Sequence, residues 1–408
     1  MARLRGRTDL LNPTTSATLS VGETAPTNPV VGQRWFRLST SVIYQYTSDG
    51  TSNFWLDISS AGIGTSAERG VEFVGDIDPH KATNLGVVGS VYYNRENNRH
   101  FVCTTATSNS QVWSGKYSGL GGTETDYLLS STYYRVHSFL KSDTFSVQST
   151  ITCDILIVGG GGGGGAYSGA GAGAGGVRQL TSQSLIQGVY NVTVGASGSP
   201  SRINNSDAPK LYHTASNGGD SSVIGGSYSE IASGGGWGGS FEQDGTTGTW
   251  LGATGGCGGG GGALQGNGSH AGKAGNTPSK SPSQGFGGGE GSHSSGSYVH
   301  SGGGGGAGGA GSPNGTGGAG GVGISNYYRT GSAGTTATVH RFAGGGAGDG
   351  NAGNGASQAA YGGGAAGGGV GGAGIANSGG GGGGGNYSNN SHGGAGGTGI
   401  VVIRYPLN

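Results

Sequence analysis

The feature that most constrains the fold of this chain is the concentration of glycine between Gly159 and Gly399. Of the 102 glycines in 408 residues, 88 lie in these 241 positions, in blocks separated by short segments that carry Tyr, Trp, His and Phe. Glycine offers no side chain for a hydrophobic core, and it loses more conformational entropy on folding than any other residue. This half of the chain therefore either stays disordered or is ordered through hydrogen bonds between backbones.

The first glycine block follows an apolar segment, residues 155–158, and its seven glycines satisfy the G-x-G-x-x-G pattern of a dinucleotide-binding loop. That loop needs a helix after the turn, because the helix N-terminus binds the pyrophosphate. The sequence AYSGAGAGAGG that follows disfavours a helix. The site also needs an acidic residue about 20 positions on, and there is none between Asp154 and Asp207. We therefore set a nucleotide site aside.

Three features favour an ordered glycine region. Positions 159–399 hold seven basic and seven acidic residues, whereas disordered segments usually carry a high net charge. The glycines are clustered, and the region ends in an apolar strand at 400–403. We therefore expect a bundle of polyglycine II helices, extended threefold helices that rise about 3.1 Å per residue and have no internal hydrogen bonds.

In such a bundle a β-carbon would push a neighbouring helix away, so that interior positions require glycine and alanine is expected at the rim. The segments 133–158, 188–196 and 399–406 alternate or concentrate apolar residues, and we expect them to pair in one sheet at the base. The predicted fold is mainly β with a polyglycine II helix bundle: small antiparallel β modules, then a β-sheet base that carries a glycine-rich helical sandwich. The structural glycines that we single out are Gly161, Gly260, Gly304, Gly345 and Gly382.

The first half contains an internal duplication, because residues 31–58 align with residues 88–116. Each copy has a Val-Gly pair, two adjacent aromatic residues, turn residues and a closing Trp, which predicts a short antiparallel sheet with one aromatic face. We expect Trp35, Trp55 and Trp113 to be core residues rather than ligand platforms. The predicted domains are an N-terminal docking arm at 1–20, small β modules at 21–60 and 68–120, and the β base with the glycine-rich domain at 128–408, its glycine blocks spanning 159–399.

Composition argues against several classes of function. Basic and acidic residues number 20 each, and a net charge of zero disfavours nucleic acid or an anionic membrane as a partner. We find no secretory signal and no run near the ~18 apolar residues of a membrane span, so we expect no membrane insertion. Three scattered cysteines fit neither a disulfide framework nor a zinc site. Glu242 and Asp244 are explained by a surface loop, and we expect no catalysis, no cofactor and no metal.

The order of motifs carries a resemblance. A strand followed by VGGGGGGG, then VYNVTVGA, ASGGGWGGS, repeated glycine blocks and a closing GGAGGTGIVVIRY resembles the glycine-rich domain of bacteriophage tail fibres and tail-tip adhesins. The resemblance covers residues 133–408, and the small β modules are similar to spacers of phage fibres. It implies a virion tail protein, made in the host cytoplasm, that attaches to the host surface without catalysis. It also implies a homotrimer that binds other virion tail proteins through residues 1–20.

The alternative is a structural virion protein, such as a head fibre, connector or decoration, with no receptor role. In a rigid bundle the loops between helices meet at the two ends, where recognition is commonly built. Aromatic, His, Asn, Ser and Arg side chains there suit a host surface glycan or an outer-membrane protein, unless the aromatics only cap the bundle. The candidate receptor-binding residues are Tyr212, His213, Phe241, Trp250, His293, Tyr298, His300, Tyr327, Tyr328, Arg329, Phe342, Tyr387 and His392.

Overall fold

The structure is a computed structural model of the 408-residue chain. It divides into two compact units, residues 1–117 with 407–408, and residues 118–406. Most of the predicted arm and the candidate Trp250 lie outside the residues that the structure describes. The described residues are 19–39, 42–48, 53–57, 73–80, 83–85, 87–95, 99–115, 118–204, 211–213, 215–241, 251–263, 268–294, 298–313, 318–330, 341–349, 363–364, 369–387 and 391–407.

The described part of the first unit consists of two four-stranded sheets with the same topology. In each sheet the first strand pairs parallel to the second, and the second, third and fourth pair antiparallel. The repeated topology is the structural counterpart of the duplication in the sequence. The strands are β1 (Leu19–Gly22), β2 (Arg34–Arg37), β3 (Val42–Ser48), β4 (Asn53–Asp57), β5 (Phe73–Gly75), β6 (Val91–Asn94), β7 (Arg99–Thr105) and β8 (Val112–Gly115).

The tryptophans of the modules are packed as core residues. Trp35 stacks on Tyr44 with ring centroids 5.0 Å apart. Trp55 packs edge-on against Trp35, with centroids 5.8 Å apart. In the second module Trp113 contacts Tyr92 at 5.8 Å. Trp35 and Trp113 are buried and Trp55 is partly buried, which confirms the prediction for the first two.

The two modules also share a core, because Phe36 and Ile43 of the first pack with Val91 and Val102 of the second. Sheets this small bury too little surface to be stable alone. The shared cluster therefore explains why two copies occur side by side in one unit.

The second unit contains, in its described part, two five-stranded sheets and three small ones. The larger sheets have the orders β10-β11-β25-β13-β14, here called the first base sheet, and β19-β18-β15-β12-β9, the second base sheet. Their strands are β9 (Gly119–Leu120), β10 (Thr123–Leu129), β11 (Thr132–Phe139), β12 (Asp143–Val147), β13 (Ile151–Val158), β14 (Val177–Leu185), β15 (Gly188–Thr193), β18 (Ser221–Gly225), β19 (Tyr228–Ala232) and β25 (Ile400–Pro406).

The strand that leads into the glycine region pairs with the strand that leaves it, as the sequence predicted. β13 and β25 are antiparallel neighbours, with Val158 opposite Ile400. The expectation of a single sheet is wrong, however, because β15 pairs with β12 and β18 in the second base sheet. The alternation of β15 explains this: Tyr190 and Val192 are buried while their neighbours are exposed, as in a strand with one covered face.

The two base sheets meet across a buried aromatic layer. His137 stacks on Tyr405, with centroids 5.6 Å apart, and packs against Phe145 of the second base sheet at 4.9 Å. Its Nδ1–H donates to the carbonyl of Gly121 at 2.7 Å, so that Nε2 accepts from the Tyr405 hydroxyl at 3.1 Å. Burial lowers the pKa of His137 to about 4, and the ring is therefore neutral at physiological pH.

The glycine segments in the described residues have neither helix nor strand hydrogen bonding, and they bond to one another with a period of three. In segment 159–165, Gly159, Gly162 and Gly165 donate to carbonyls of the antiparallel segment 170–176, each at 3.0 Å. The residues between them point to other neighbours. Their N–H groups donate to segments 216–219 and 394–397, and their carbonyls accept from segments 198–201 and 235–238. The carbonyls of Gly162 and Gly165 accept from segment 382–385.

Segment 169–176 is surrounded in the same way. Ala170, Gly173 and Gly176 donate to one neighbouring segment, and the residues between them donate to others. The described backbone groups in the middle of these segments are therefore bonded to neighbours on all sides, as buried polar groups must be. Segment 169–176 donates to segments 233–239, 302–305 and 379–385 and accepts from segments 159–165, 257–260 and 346–349.

Alanine is not restricted to the rim, and that expectation is wrong. Ala170, Ala172 and Ala174 are fully buried in segment 169–176. A Cβ at the intervening Gly171 or Gly173 would instead overlap the backbone of a neighbouring segment. The tolerance for a methyl group is thus decided position by position, by whether a neighbouring carbonyl lies against the Cα.

The glycine region has two ends, which we call the sheet end and the far end. The sheet end is where β13 passes into Gly159, and the far end is the turn at 166–168 that joins segments 159–165 and 169–176. Hydrogen bonds of Ser201 to Gly164 and of Ser301 to Gly169 place β16 and β20–β22 at the far end. The remaining strands are β16 (Arg202–Asn204), β17 (Leu211–His213), β20 (Gly268–His270), β21 (Gly291–Ser294), β22 (Tyr298–His300), β23 (Ile324–Ser325) and β24 (Arg341–Phe342).

Candidate functional site

An aromatic cluster closes the far end. The rings of Tyr167, Phe241 and Tyr387 touch one another, with centroids 5.4 Å, 4.6 Å and 5.9 Å apart for the pairs 167–241, 167–387 and 241–387. Ile203 and two alanine methyl groups complete the buried part of the cluster. Three different segments of the chain are therefore fixed to one another by apolar packing.

The turn at Tyr167 holds this cluster in place. Tyr167 and Ser168 both have φ of 52°, a left-handed conformation that non-glycine residues adopt at a cost of about 1–2 kcal/mol each. The N–H of Tyr167 donates to the carbonyl of Ser391 at 3.0 Å. Tyr167 and Phe241 are 8 % and 6 % exposed, whereas Tyr387 is 39 % exposed, so Tyr387 is the exposed aromatic residue of the three.

His392 lies beside the same cluster. Its Nδ1 is 3.0 Å from the N–H of Ile203 and accepts a hydrogen bond from it. The accepting nitrogen cannot carry a proton, so the neutral ring has its proton on Nε2. Among the described residues Nε2 of His392 has no hydrogen-bond partner, and this N–H is available as a donor.

A buried carboxyl group underlies Tyr387. Asp349 is fully buried, and its two oxygens accept from Asn386 Nδ2 at 3.3 Å and from the N–H of Tyr387 at 3.2 Å. Its backbone bonds to Gly169 and Ser301. Burial raises the pKa of the carboxyl group to about 7, against the opposing effect of these two hydrogen bonds. Asp349 therefore joins the segments that meet beneath the Tyr387 turn.

The described candidate residues divide between the two ends. Tyr327, Tyr328, Arg329 and Phe342 lie at the sheet end. The far end holds Tyr212, His213, Phe241, His293, Tyr298, His300, Tyr387 and His392.

At the sheet end Phe342 and Tyr328 pack against the base. Phe342 is 1 % exposed and packs in the core with Val158 and Val177. The Arg404 guanidinium lies over the ring of Tyr328, with Cζ 4.2 Å from its centroid, and pairs with Asp154 at 2.8 Å. We therefore carry only the far end forward as the candidate recognition surface, without Phe241, whose ring is buried in the cluster.

Sequence reasoning missed Tyr167 and Asp349. Tyr167 could have been found as the aromatic residue between the first two glycine blocks, where a turn had to occur. Asp349 lies in the sequence GGGAGDGN. Its isolation among glycines marks it as a polar group that neighbouring backbones must satisfy.

The five structural glycines that we singled out all lie against the backbone of another segment, because a Cβ on each would overlap a carbonyl oxygen. For Gly161, Gly260, Gly304, Gly345 and Gly382 these are the carbonyls of Gly380, Gly302, Ala172, Gly304 and Gly394, in that order.

Comparison with known proteins gives the family of the second unit. The profile of the glycine-rich domain matches residues 140–406, which is more than half of the chain. The chain belongs to the glycine-rich domain family. No curated protein matches it. In the described part of the chain no helix has the length and apolar character that crossing a membrane requires, and no three His, Cys, Asp or Glu side chains there are grouped to hold a metal ion.

Proposed function

We propose that this chain is a bacteriophage tail fibre protein that attaches the virion to the host cell through the far end of its glycine-rich region, without catalysis. The observation that carries the proposal is the hydrogen bonding of the glycine segments. It gives a glycine-built body, and the described residues Tyr167, Phe241 and Tyr387 are packed together at one end of it. The family and the duplicated β modules are compatible with a fibre made of spacers and a tip.

The glycine segments are, in this proposal, polyglycine II helices in a helical sandwich. A threefold helix points successive N–H groups in three directions, so every third residue meets the same neighbour. The period of three in segments 159–165 and 169–176 has this property. Each hydrogen bond contributes only about 1 kcal/mol net, so that such a body is stable only when its segments pack as a set, and it is then stiff.

Recognition at the far end is supported by the composition of the sequence between its described residues. The sequences INNSDAPKLYH, SHSSGSYVH and NYSNNSH are rich in Asn, Ser, Tyr and His and poor in charge. Binding loops of antibodies have a similar bias, because Tyr provides rigid contact area and Ser, Gly and Asn provide adaptable hydrogen bonds. The proposed partner is therefore a host surface glycan or an outer-membrane protein. The proposed fibre is a homotrimer that binds other tail proteins through residues 1–20.

Competition for adsorption tests this function. Host cells are incubated with the purified full-length chain, and the adsorption rate of the virion that carries it is then measured. At a concentration about ten times the dissociation constant, roughly nine receptors in ten are occupied, so adsorption should slow about tenfold. Chain that has been unfolded by heat is the control and should have no effect.

The attachment role would be contradicted if the folded chain showed no saturable binding to the cells and the virion adsorbed at an undiminished rate in its presence. The chain would then fit a structural virion component, such as a head fibre, connector or decoration. Loss of surface polysaccharide during incubation would contradict the absence of catalysis.

A further inference from the structure

We propose that Tyr387 and His392 form a binding subsite for a neutral sugar ring of a surface glycan. The inference rests on the proposed function and names the ligand class of its recognition surface. Tyr387 provides a ring face for stacking, and His392 provides an N–H for a sugar hydroxyl. The argument depends on the support beneath Tyr387, the tautomer of His392 and the charge around both.

Tyr387 is exposed and yet held in place. Tyr387 is 39 % exposed, and its ring packs against Tyr167 at 4.6 Å and Phe241 at 5.9 Å between centroids. Its backbone N–H is bonded to the buried Asp349. An exposed aromatic ring that is already fixed loses little conformational entropy when a ligand packs on it. The apolar C–H face of a pyranose matches such a ring in size and polarity.

His392 supplies a directional donor next to the cluster that supports this ring. The hydrogen bond from Ile203 N to Nδ1 fixes the imidazole and leaves the proton on Nε2. Ile203 packs in the same cluster as Tyr167 and Phe241, so His392 is bonded to the support on which Tyr387 rests. A fixed N–H donor on the same support as an exposed aromatic residue suits a ligand that presents hydroxyl groups around an apolar face.

The charge around the subsite favours a neutral sugar over an anionic one. In the described part of the cluster, Tyr167, Ile203, Phe241 and Ala263 carry no charge. Arg202 is exposed and adjacent to the buried Ile203 in β16, so it points to the opposite face of that strand. Asp349, beneath the ring, would repel an anion when it is ionised.

The test uses the full-length chain and host cells treated with either periodate, which cleaves vicinal diols of sugars, or protease. We expect periodate to abolish binding to the cells and protease to leave it intact. Tyr387→Ala should weaken binding at least about tenfold, as truncation of a central aromatic commonly does, whereas Tyr387→Phe should bind as well as the wild type. Tyr327→Ala is the matched control, because Tyr327 is also 39 % exposed but lies at the sheet end.

Two variants of His392 separate its roles. Asn at this position keeps an acceptor near Nδ1 and removes the donor, and Gln keeps a donor near Nε2 and removes the acceptor. We expect His392→Asn to bind about three- to tenfold more weakly with unchanged thermal unfolding, and His392→Gln to retain more binding than His392→Asn.

The outcomes distinguish this proposal from the proposed function. Binding that protease abolishes and periodate spares would overturn the sugar subsite and leave the attachment function intact, with a protein as the receptor. Failure of Tyr387→Phe to bind would overturn stacking on the ring face. Preference for anionic over neutral oligosaccharides on a printed array would overturn the assignment of a neutral ligand. Wild-type chain that binds no host cell would overturn both.

Discussion

Replacement of Gly382 with alanine is expected to lower the free energy of unfolding by at least about 3 kcal/mol. The added Cβ would overlap the carbonyl of Gly394, and overpacking of a close-packed interior costs about 1–3 kcal/mol. Relief requires movement of segment 379–385. The N–H of Gly382 donates to Gly162 at 3.0 Å, and its carbonyl accepts from Ala172 at 2.9 Å. Because both partners belong to the central segments, the movement would weaken further hydrogen bonds of about 1 kcal/mol each.

The matched control for this variant is Gly369→Ala. Apart from its two chain neighbours, no heavy atom of the described residues lies within 4 Å of a Cβ built on Gly369, so alanine meets open space there. We expect a change between zero and a stabilisation of about 1 kcal/mol, because alanine reduces the entropy of the unfolded chain. Urea denaturation of both variants measures the difference. Equal stability of the two variants would mean that the glycine segments are not packed as the structure has them.

The contrast between these glycines marks the limit of sequence reasoning. The clustering of glycine and the apolar ends of β13 and β25 predicted an ordered region closed by paired strands, because period and composition act over short distances. They did not predict which alanines are buried. That depends on which carbonyl of a distant segment faces each Cα, as for Gly171 and Ala172, and this register is set only by the assembled body.

The candidate site was predictable in kind and less so in detail. Aromatic residues between glycine blocks indicated loops at the ends, but nothing in the sequence indicated that Tyr387 and Tyr327 lie at opposite ends. The direction of each segment decides this, and segments of glycine carry no signal for direction. The sequence did not indicate the support beneath Tyr387 either, because its residues are far apart in the chain. Tyr167 and Phe241 are 74 positions apart, and Phe241 and Asp349 are 108 positions apart.

The titrations of Asp349 and His137 should have opposite effects on stability over the same range of pH. The raised pKa of Asp349, about 7, means that the folded state retains a proton that the unfolded state releases near 4. Its contribution to the free energy of unfolding is present below pH 4 and is lost as the pH rises towards 7. His137 has its pKa lowered to about 4. The unfolded state therefore binds a proton that the folded state excludes, and this contribution is lost as the pH falls from about 6.5 to 4.

The two groups change the free energy of unfolding with pH in opposite directions, so their effects partly cancel in the wild type. Replacing one of the two groups removes this cancellation. Between pH 4.5 and 6.5 one group contributes roughly 2–3 kcal/mol, since one pH unit corresponds to about 1.4 kcal/mol. We expect Asp349→Asn to become more stable relative to wild type by this amount as the pH rises across the range, and His137→Gln to become less stable relative to wild type by a similar amount.

Urea denaturation at pH 4.5 and 6.5 measures both differences, and subtraction of the wild type removes the other titrating groups. Asn191→Gln, which exchanges one amide for another at an exposed position, is the control and should parallel the wild type. Hydrogen exchange locates the effects, because Asp349 underlies the far end and His137 lies between the base sheets. Amides around Tyr387 should exchange faster as the pH rises to 7, after correction for the intrinsic rate, while those of β11 and β25 should not. If both variants showed the same change of the free energy of unfolding with pH as the wild type, the burial of both groups would be contradicted.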